Sequence, residues 1–258
     1  MIKKNCLLIG ENSEISKFLI PKLKMNYSIT STYYKKKNKS NQNSSLKLNL
    51  QNIISQNIFF KKLKKLQIKF DLILFIAAIT PSLDRNKNSF LSNLKYKNFD
   101  SYLKINCFSY ITITEKLILE KFLNDKSKIF YFTSKAGSIE ERGKMNHHLP
   151  GGDLLYRISK SALNCAVKNI SYDLSSSNYS FIAYHPGYID DIDTKMYKKN
   201  MTDISNNQIA LNHLKDFYQK WKNNSLVIEK WFEMMSTLNI KAQGLNLIKN
   251  LLKHKDFD

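Results

Sequence analysis

Lys128-Ile129-Phe130-Tyr131-Phe132-Thr133-Ser134-Lys135-Ala136-Gly137-Ser138 passes from large and apolar to small and polar, and Tyr156-Arg157-Ile158-Ser159-Lys160 then opens a segment of helical periodicity. The first stretch reads as a β-strand, rich in β-branched and aromatic side chains, that ends on a hydroxyl. The second puts a phenol and an ammonium four residues apart, which on a helix is one face. A phenol beside an ammonium is a device for moving protons near neutral pH, and a nearby hydroxyl can hold a carbonyl oxygen. The spacing alone is weak. Tyr-x-x-x-Lys also occurs at Tyr33/Lys37, Tyr131/Lys135 and Tyr218/Lys222, so context has to single out the pair at Tyr156.

Outward from this stretch, short apolar runs alternate with longer amphipathic ones. Asn5 to Ile9 reads as a first strand and Glu11 to Leu23 as a helix. Tyr27 to Tyr33 is a second strand, Leu46 to Leu50 a short third one, and a helix follows through Leu66. Phe70 to Ala77 is the most hydrophobic strand, and Pro81 to Asn93 a polar connection. Phe99 to Leu123 has Leu103, Ile105, Phe108, Ile111 and Ile113 at helical spacing. Ile129 to Ser134, a helix over Asp153 to Leu174 and a strand over Tyr179 to Tyr184 complete the pattern.

Such alternation, with strands that are apolar throughout, predicts a parallel sheet covered on both faces. Right-handed crossovers make it a doubly wound α/β fold, whose ligand lies beyond the carboxyl ends of the strands. Gly10 and Ser134 both fall on that edge. The Tyr156 pair begins the following helix and reaches the same crevice, which none of the other pairs does.

The chain has 258 residues and a formal net charge of +20. The length suits one domain with a large core, read here as 1–258 with 190–238 an enlarged helical loop over the substrate. The charge invites a nucleic acid or an anionic membrane. Yet arginine, the usual bidentate reader of bases, occurs only at Arg85, Arg142 and Arg157. Lysine at solvated positions accounts for the rest, so the expectation is no nucleic acid and no membrane. Cys6, Cys107 and Cys165 are widely spaced and odd in number, as in a reduced protein of the cytoplasm. The apolar run Cys6 to Ile9 is too short for a signal peptide core, and Leu72 to Ile79 too short for a membrane span. His147-His148 is a metal pair in appearance only, because no carboxylate or cysteine accompanies it.

Ser134-Lys135-Ala136-Gly137-Ser138-Ile139, a loop with Gly151-Gly152, and Tyr156-Arg157-Ile158-Ser159-Lys160-Ser161-Ala162-Leu163-Asn164 together form a specific string. It resembles the short-chain dehydrogenase/reductases, and within them the C-factor and sniffer-type carbonyl reductases. The likeness runs from about Asn5 to Met196, with a weaker continuation over Ala242 to Leu252. His185-Pro186-Gly187-Tyr188-Ile189 is similar to the family's turn after its sixth strand, and Asn106 stands where the family has an active-site asparagine. Departures accompany the match. Ile9-Gly10-Glu11-Asn12-Ser13-Glu14-Ile15-Ser16 replaces the family's Thr-Gly-x-x-x-Gly-Ile-Gly, and Phe75-Ile76-Ala77-Ala78 replaces Asn-Asn-Ala-Gly.

The resemblance implies a Rossmann-like fold and four catalytic residues: Tyr156 as general acid or base, Lys160 lowering its pKa and holding the nicotinamide ribose, Ser134 on the substrate carbonyl, and Asn106 holding a water next to Lys160. It implies cofactor contacts at Gly10, Ser13, Glu14 and Ile15 in the first turn. Others fall at Tyr34, Lys35, Asn49 and Leu50 on the adenosine side, and at Ala77, Ala78, Pro186, Gly187 and Ile189 on the nicotinamide side. Ser31 to Lys37 holds no carboxylate for ribose hydroxyls. Its hydroxyls and lysines suit a 2′-phosphate, which favours NADP(H) over NAD(H), although the lysine run reads also as a solvated loop. A homodimer or homotetramer is implied as well. Two functions stay open: a carbonyl reductase or alcohol dehydrogenase acting on a small molecule, and a weakly active or inactive relative that senses the dinucleotide or serves as a scaffold.

Overall fold

The structure is a computed structural model, described here for residues 3–35, 45–80, 94–140 and 154–186. The chain divides into two compact units, Met1–His185 and Pro186–Asp258. The first unit carries the sheet. Of the second, only Pro186 is described, so the enlarged loop expected over 190–238 lies outside the described residues, as do Gly187, Ile189 and His147-His148.

Six parallel strands lie in the order β3-β2-β1-β4-β5-β6. They are β1 (Lys4–Ile9), β2 (Tyr27–Tyr33), β3 (Ser45–Lys47), β4 (Phe70–Phe75), β5 (Leu123–Phe132) and β6 (Ser180–Tyr184). The connecting helices are α1 (Glu14–Leu23), α2 (Ile53–Lys65), α3 (Phe99–Leu103), α4 (Ser109–Leu119) and α5 (Leu154–Asp173). This is the doubly wound α/β fold read from the sequence. On one face, Leu7 and Ile9 of β1, Ile73 and Phe75 of β4 and Tyr131 of β5 share a core with Phe59 of α2, Tyr110 of α4 and Leu163 of α5. The chain order reverses between β1 and β4, and a crevice opens at the carboxyl ends of strands where that happens.

Three departures from the expected elements have physical reasons. β3 is three residues long and ends at Lys47, because the main chain turns away to let Asn49 and Asn52 start α2, with Asn52 Oδ1 accepting from Ser55 N at 2.8 Å. The long helix over Phe99 to Leu123 is broken by a π-helical turn at Lys104–Phe108 and stops at Leu119. Lys121 at φ 58° reverses the chain, and β5 begins early, at Leu123. Between Phe70↔Leu123 and Leu72↔Lys128 the register jumps, with Lys126 at φ 61° taking up the excess and Ser127 Oγ donating to Phe70 O at 2.7 Å.

Candidate functional site

The first turn of the crevice is built on Gly10. Its φ of +104° is open to glycine, and a Cβ there would stand 2.6 Å from Ala77 Cβ. Ala77 N donates to Ile9 O at 2.9 Å, so the exits of β1 and β4 are pressed together. Gly10 N donates to Thr32 Oγ1 at 3.0 Å, which ties the turn to β2. Ser16 stands where the resemblance expects a glycine. Its hydroxyl is absorbed by the turn, donating to Gly10 O at 2.6 Å while lying 2.7 Å from Ser13 Oγ. Ser13 caps α1, its Oγ accepting from Ser16 N at 3.1 Å. Glu14 opens the helix, exposed and paired with Lys17, and Ile15 behind it is half-buried.

On the adenosine side, Tyr34 and Lys35 are exposed, with the Lys35 ammonium 5.8 Å from the Tyr34 ring centre. Asn49 Oδ1 accepts from Gln51 N at 3.0 Å, and Leu50 O from Gln56 Nε2 at 2.9 Å. Sequence reasoning missed a carboxylate here. Glu11 is fully buried, and its Oε2 accepts from Ser31 Oγ and from Ser45 Oγ, both at 2.5 Å. A charged residue after a turn glycine reads as solvated. The small hydroxyl residues in β2 and at the start of β3 were the available signal.

Phe75, where the resemblance expects asparagine, is a core side chain. Its ring lies 4.6 Å from Tyr110 and is stacked 5.1 Å from Tyr131. Tyr110 reaches over it to donate its hydroxyl to Ala77 O. Ala77 and Ala78 are half-buried beside this stack.

Ser134 follows β5 and caps a 3-10 turn over Lys135–Gly137, its Oγ accepting from Ala136 N at 3.1 Å. A hydroxyl that accepts keeps its own O–H to donate. Thr133 Oγ1 donates to Asn164 Oδ1, joining the same strand end to α5. Gly137 packs on α5 so closely that a Cβ would come within 2.5 Å of Lys160 C, and Ser161 Oγ donates to Gly137 O at 2.7 Å.

Tyr156 lies in the first turn of α5, half-buried, and Lys160 one turn later is 1% exposed. The ammonium stands 5.8 Å from the Tyr156 ring centre and donates to Phe132 O at 2.7 Å. Burial drives Lys160 down from 10.5 to about 7, against a smaller opposing pull from Cys107. Cys107 is itself pushed up to about 11 by burial.

Asn106 is fully buried in the π-helical turn. Its Oδ1 accepts from Ile79 N at 2.8 Å, and its Nδ2 donates to Ile79 O and to Ser159 Oγ, both at 3.0 Å. Asn106 therefore grips the main chain beyond β4. The π turn takes Phe108, one of the residues at apolar helical spacing, to the exposed side, and sequence reasoning passed over this turn and Ser159.

The donor set fits a nicotinamide dinucleotide. A ten-residue helix begins just beyond Gly10, and helix N-termini attract phosphate. An ammonium carries three N–H donors, of which Phe132 O takes one from Lys160.

Comparison with known proteins gives the same fold. The structure matches a short-chain dehydrogenase/reductase from Burkholderia multivorans with bound NADP, at a TM-score of 0.61 and 17% identity, over 74% of this chain and 81% of that one. It also matches a Caenorhabditis elegans protein described as the carbonyl reductase Sniffer, at a TM-score of 0.60 and 20% identity, over 74% and 86%. In sequence the chain is 26% identical over 155 residues to 1-hydroxy-2-glutathionyl-2-methyl-3-butene dehydrogenase of Rhodococcus sp. (strain AD45), 60% of this chain and 62% of that one. The chain spans between 32% and 62% of the length of the curated relatives it matches. A family model described as a domain of unknown function, DUF3458_C, ARM repeats, matches residues 199–258, which lie outside the described residues.

Proposed function

We propose that this chain, which has the fold of the short-chain dehydrogenase/reductases, is an oxidoreductase that reduces a small carbonyl compound or oxidises the corresponding alcohol, using NADP(H) in preference to NAD(H). The observation that carries the proposal is the Lys160 ammonium, buried 5.8 Å from the Tyr156 ring, in the turn of α5 that meets the end of β5. Tyr156 is the general acid in reduction, and a positive charge at this distance favours its phenolate once the proton has left. Lys160, with its own affinity for protons brought near neutrality, can return one. Ser134 donates its O–H to the carbonyl oxygen and so orients it toward the phenol.

The nicotinamide group supplies the hydride when bound. Lys160 would hold its ribose, and the Gly10 turn with Ser13 the phosphates. Tyr34 and Lys35 would take the adenosine end, where an exposed lysine suits a 2′-phosphate. Asn49 and Leu50 would serve the same side, and Ala77 and Ala78 the nicotinamide side. Asn106 would order a water near Lys160. A homodimer or homotetramer and a cytoplasmic setting belong to the same reading. Among the described residues no helix is long and apolar enough to cross a membrane.

The test is direct. The protein should quench or shift its fluorescence on titration with NADPH at lower concentration than with NADH, and oxidise NADPH in the presence of a carbonyl panel. Absence of turnover with every carbonyl and alcohol tried would overturn the catalytic reading. One observation favours a second reading, a dinucleotide sensor or scaffold: Glu14 sets a carboxylate on the first turn of α1, where phosphate would approach. Binding without turnover identifies a sensor, and no binding at millimolar dinucleotide a scaffold.

A further inference from the structure

Ser159 is fully buried on α5, between the two residues assigned to proton transfer and the π-helical turn. Its hydroxyl has a defined polarity. The only hydrogens on Asn106 Nδ2 point outward as donors, so Ser159 Oγ accepts from Nδ2 at 3.0 Å, and its own O–H goes to Tyr156 O at 2.8 Å. A continuous path of hydrogen bonds thus runs from both main-chain groups of Ile79, through the Asn106 amide and the Ser159 hydroxyl, to the carbonyl of Tyr156.

The first turns of α5 are held on two other sides. Lys160 Nζ is tied to Phe132 O at the end of β5, and the helix backbone at Lys160 rests on Gly137 with Ser161 bonded across. Those two contacts fix Lys160. The Asn106–Ser159 link ends on the main chain of Tyr156. A serine bonded back to the carbonyl three residues earlier also adjusts the local bend of a helix.

We infer that Ser159 is a positioning residue: it carries the location of the chain beyond β4 into α5 and thereby sets Tyr156 relative to Lys160. The inference rests on the oxidoreductase reading of this site. Removing the hydroxyl leaves Asn106 its two bonds to Ile79, so the fold and the dinucleotide turn survive, while Tyr156 loses one of the contacts that hold it. A displacement on the order of 1 Å at a reacting group lowers rate by about 10²-fold.

The experiment compares wild type, Ser159→Ala and Ser159→Thr in steady-state turnover, dinucleotide affinity and amide hydrogen exchange. Ser159→Ala is expected to lower kcat roughly ten- to hundred-fold with KM for dinucleotide unchanged. Exchange should quicken at the Lys160 amide and stay slow at Ile79. Threonine keeps the hydroxyl and bonds backward along a helix, so Ser159→Thr should recover most of the rate. Wild-type kcat together with wild-type exchange in Ser159→Ala overturns the inference, as does a loss of rate matched by loss of dinucleotide affinity. If wild type itself turns over no carbonyl, the functional reading has failed, and the exchange at Lys160 against Ile79 still decides whether Ser159 holds this turn.

Discussion

Lys160 and Tyr156 sit one helical turn apart on α5, the ammonium of one 5.8 Å from the ring centre of the other, and the ammonium is anchored to Phe132 O at 2.7 Å. The strand-end carbonyl fixes the place of this group, while burial brings its proton affinity near neutrality. The phenol beside it is half-buried.

Tyr156→Phe removes the hydroxyl and keeps the ring. Turnover should fall by about 10²- to 10⁴-fold, the usual share of a general acid, with dinucleotide affinity unchanged. Parallel kinetics and fluorescence titration check both halves. Retained turnover would remove Tyr156 from the mechanism.

The folded-state value of about 7 for Lys160 lies below its ordinary 10.5. Below about pH 7 both folded and unfolded chains carry the proton, and the cost of burying the charge stands in full. Between 7 and 10.5 the unfolded chain binds more protons, so this residue's contribution to stability rises with pH. Lys160→Met abolishes that window. The stability of Lys160→Met minus that of wild type should therefore be largest near pH 7 and shrink about two units higher, in urea denaturation without dinucleotide.

Gly10→Ala sets a Cβ 2.6 Å from Ala77 Cβ and 2.8 Å from the Ala77 backbone, at φ +104°. The neighbour is main chain held to Ile9, so relief requires the β1 and β4 exits to part. A loss of roughly 1–3 kcal/mol is expected from the strained backbone alone. Denaturation midpoints measure it, and dinucleotide affinity should fall with it.

Glu11→Gln tests the buried carboxylate. Two hydroxyls, from β2 and from the start of β3, converge on its Oε2. Exchanging the charged acceptor for an amide should cost about 1–3 kcal/mol. Faster amide exchange at β3 than at β1 would locate the damage, and unchanged stability would make the carboxylate dispensable.

The sheet was legible because β1 and β4 end in unbroken apolar runs, Cys6 to Ile9 and Leu72 to Phe75, and a doubly covered parallel sheet buries both faces of such strands. The helix over Phe99 to Leu123 was legible in kind but not in form. A π turn at Lys104–Phe108 inserts one residue and so turns the helix face by about 100°, which leaves Phe108 exposed, buries Asn106 and Cys107 and sets Asn106 against Ile79. Ser134, Tyr156 and Lys160 could be read because helix spacing and the strand end bring them to one edge. Glu11 could not. Whether a charge after a turn is solvated or buried depends on which hydroxyls the third strand delivers, 34 residues away in sequence.

The strand order β3-β2-β1-β4-β5-β6 has a consequence for how the chain acquires its structure. β1 lies inside the sheet, with Cys6 beside Ile29 on one flank and Leu72 on the other. During synthesis the second flank has nothing to pair with until β4 has left the ribosome. Until then an apolar strand stands with an open edge, the condition under which chains join to one another in place of folding. Folding of this sheet is therefore a matter of timing as well as of stability, and truncations ending before Phe75 should be found in aggregates.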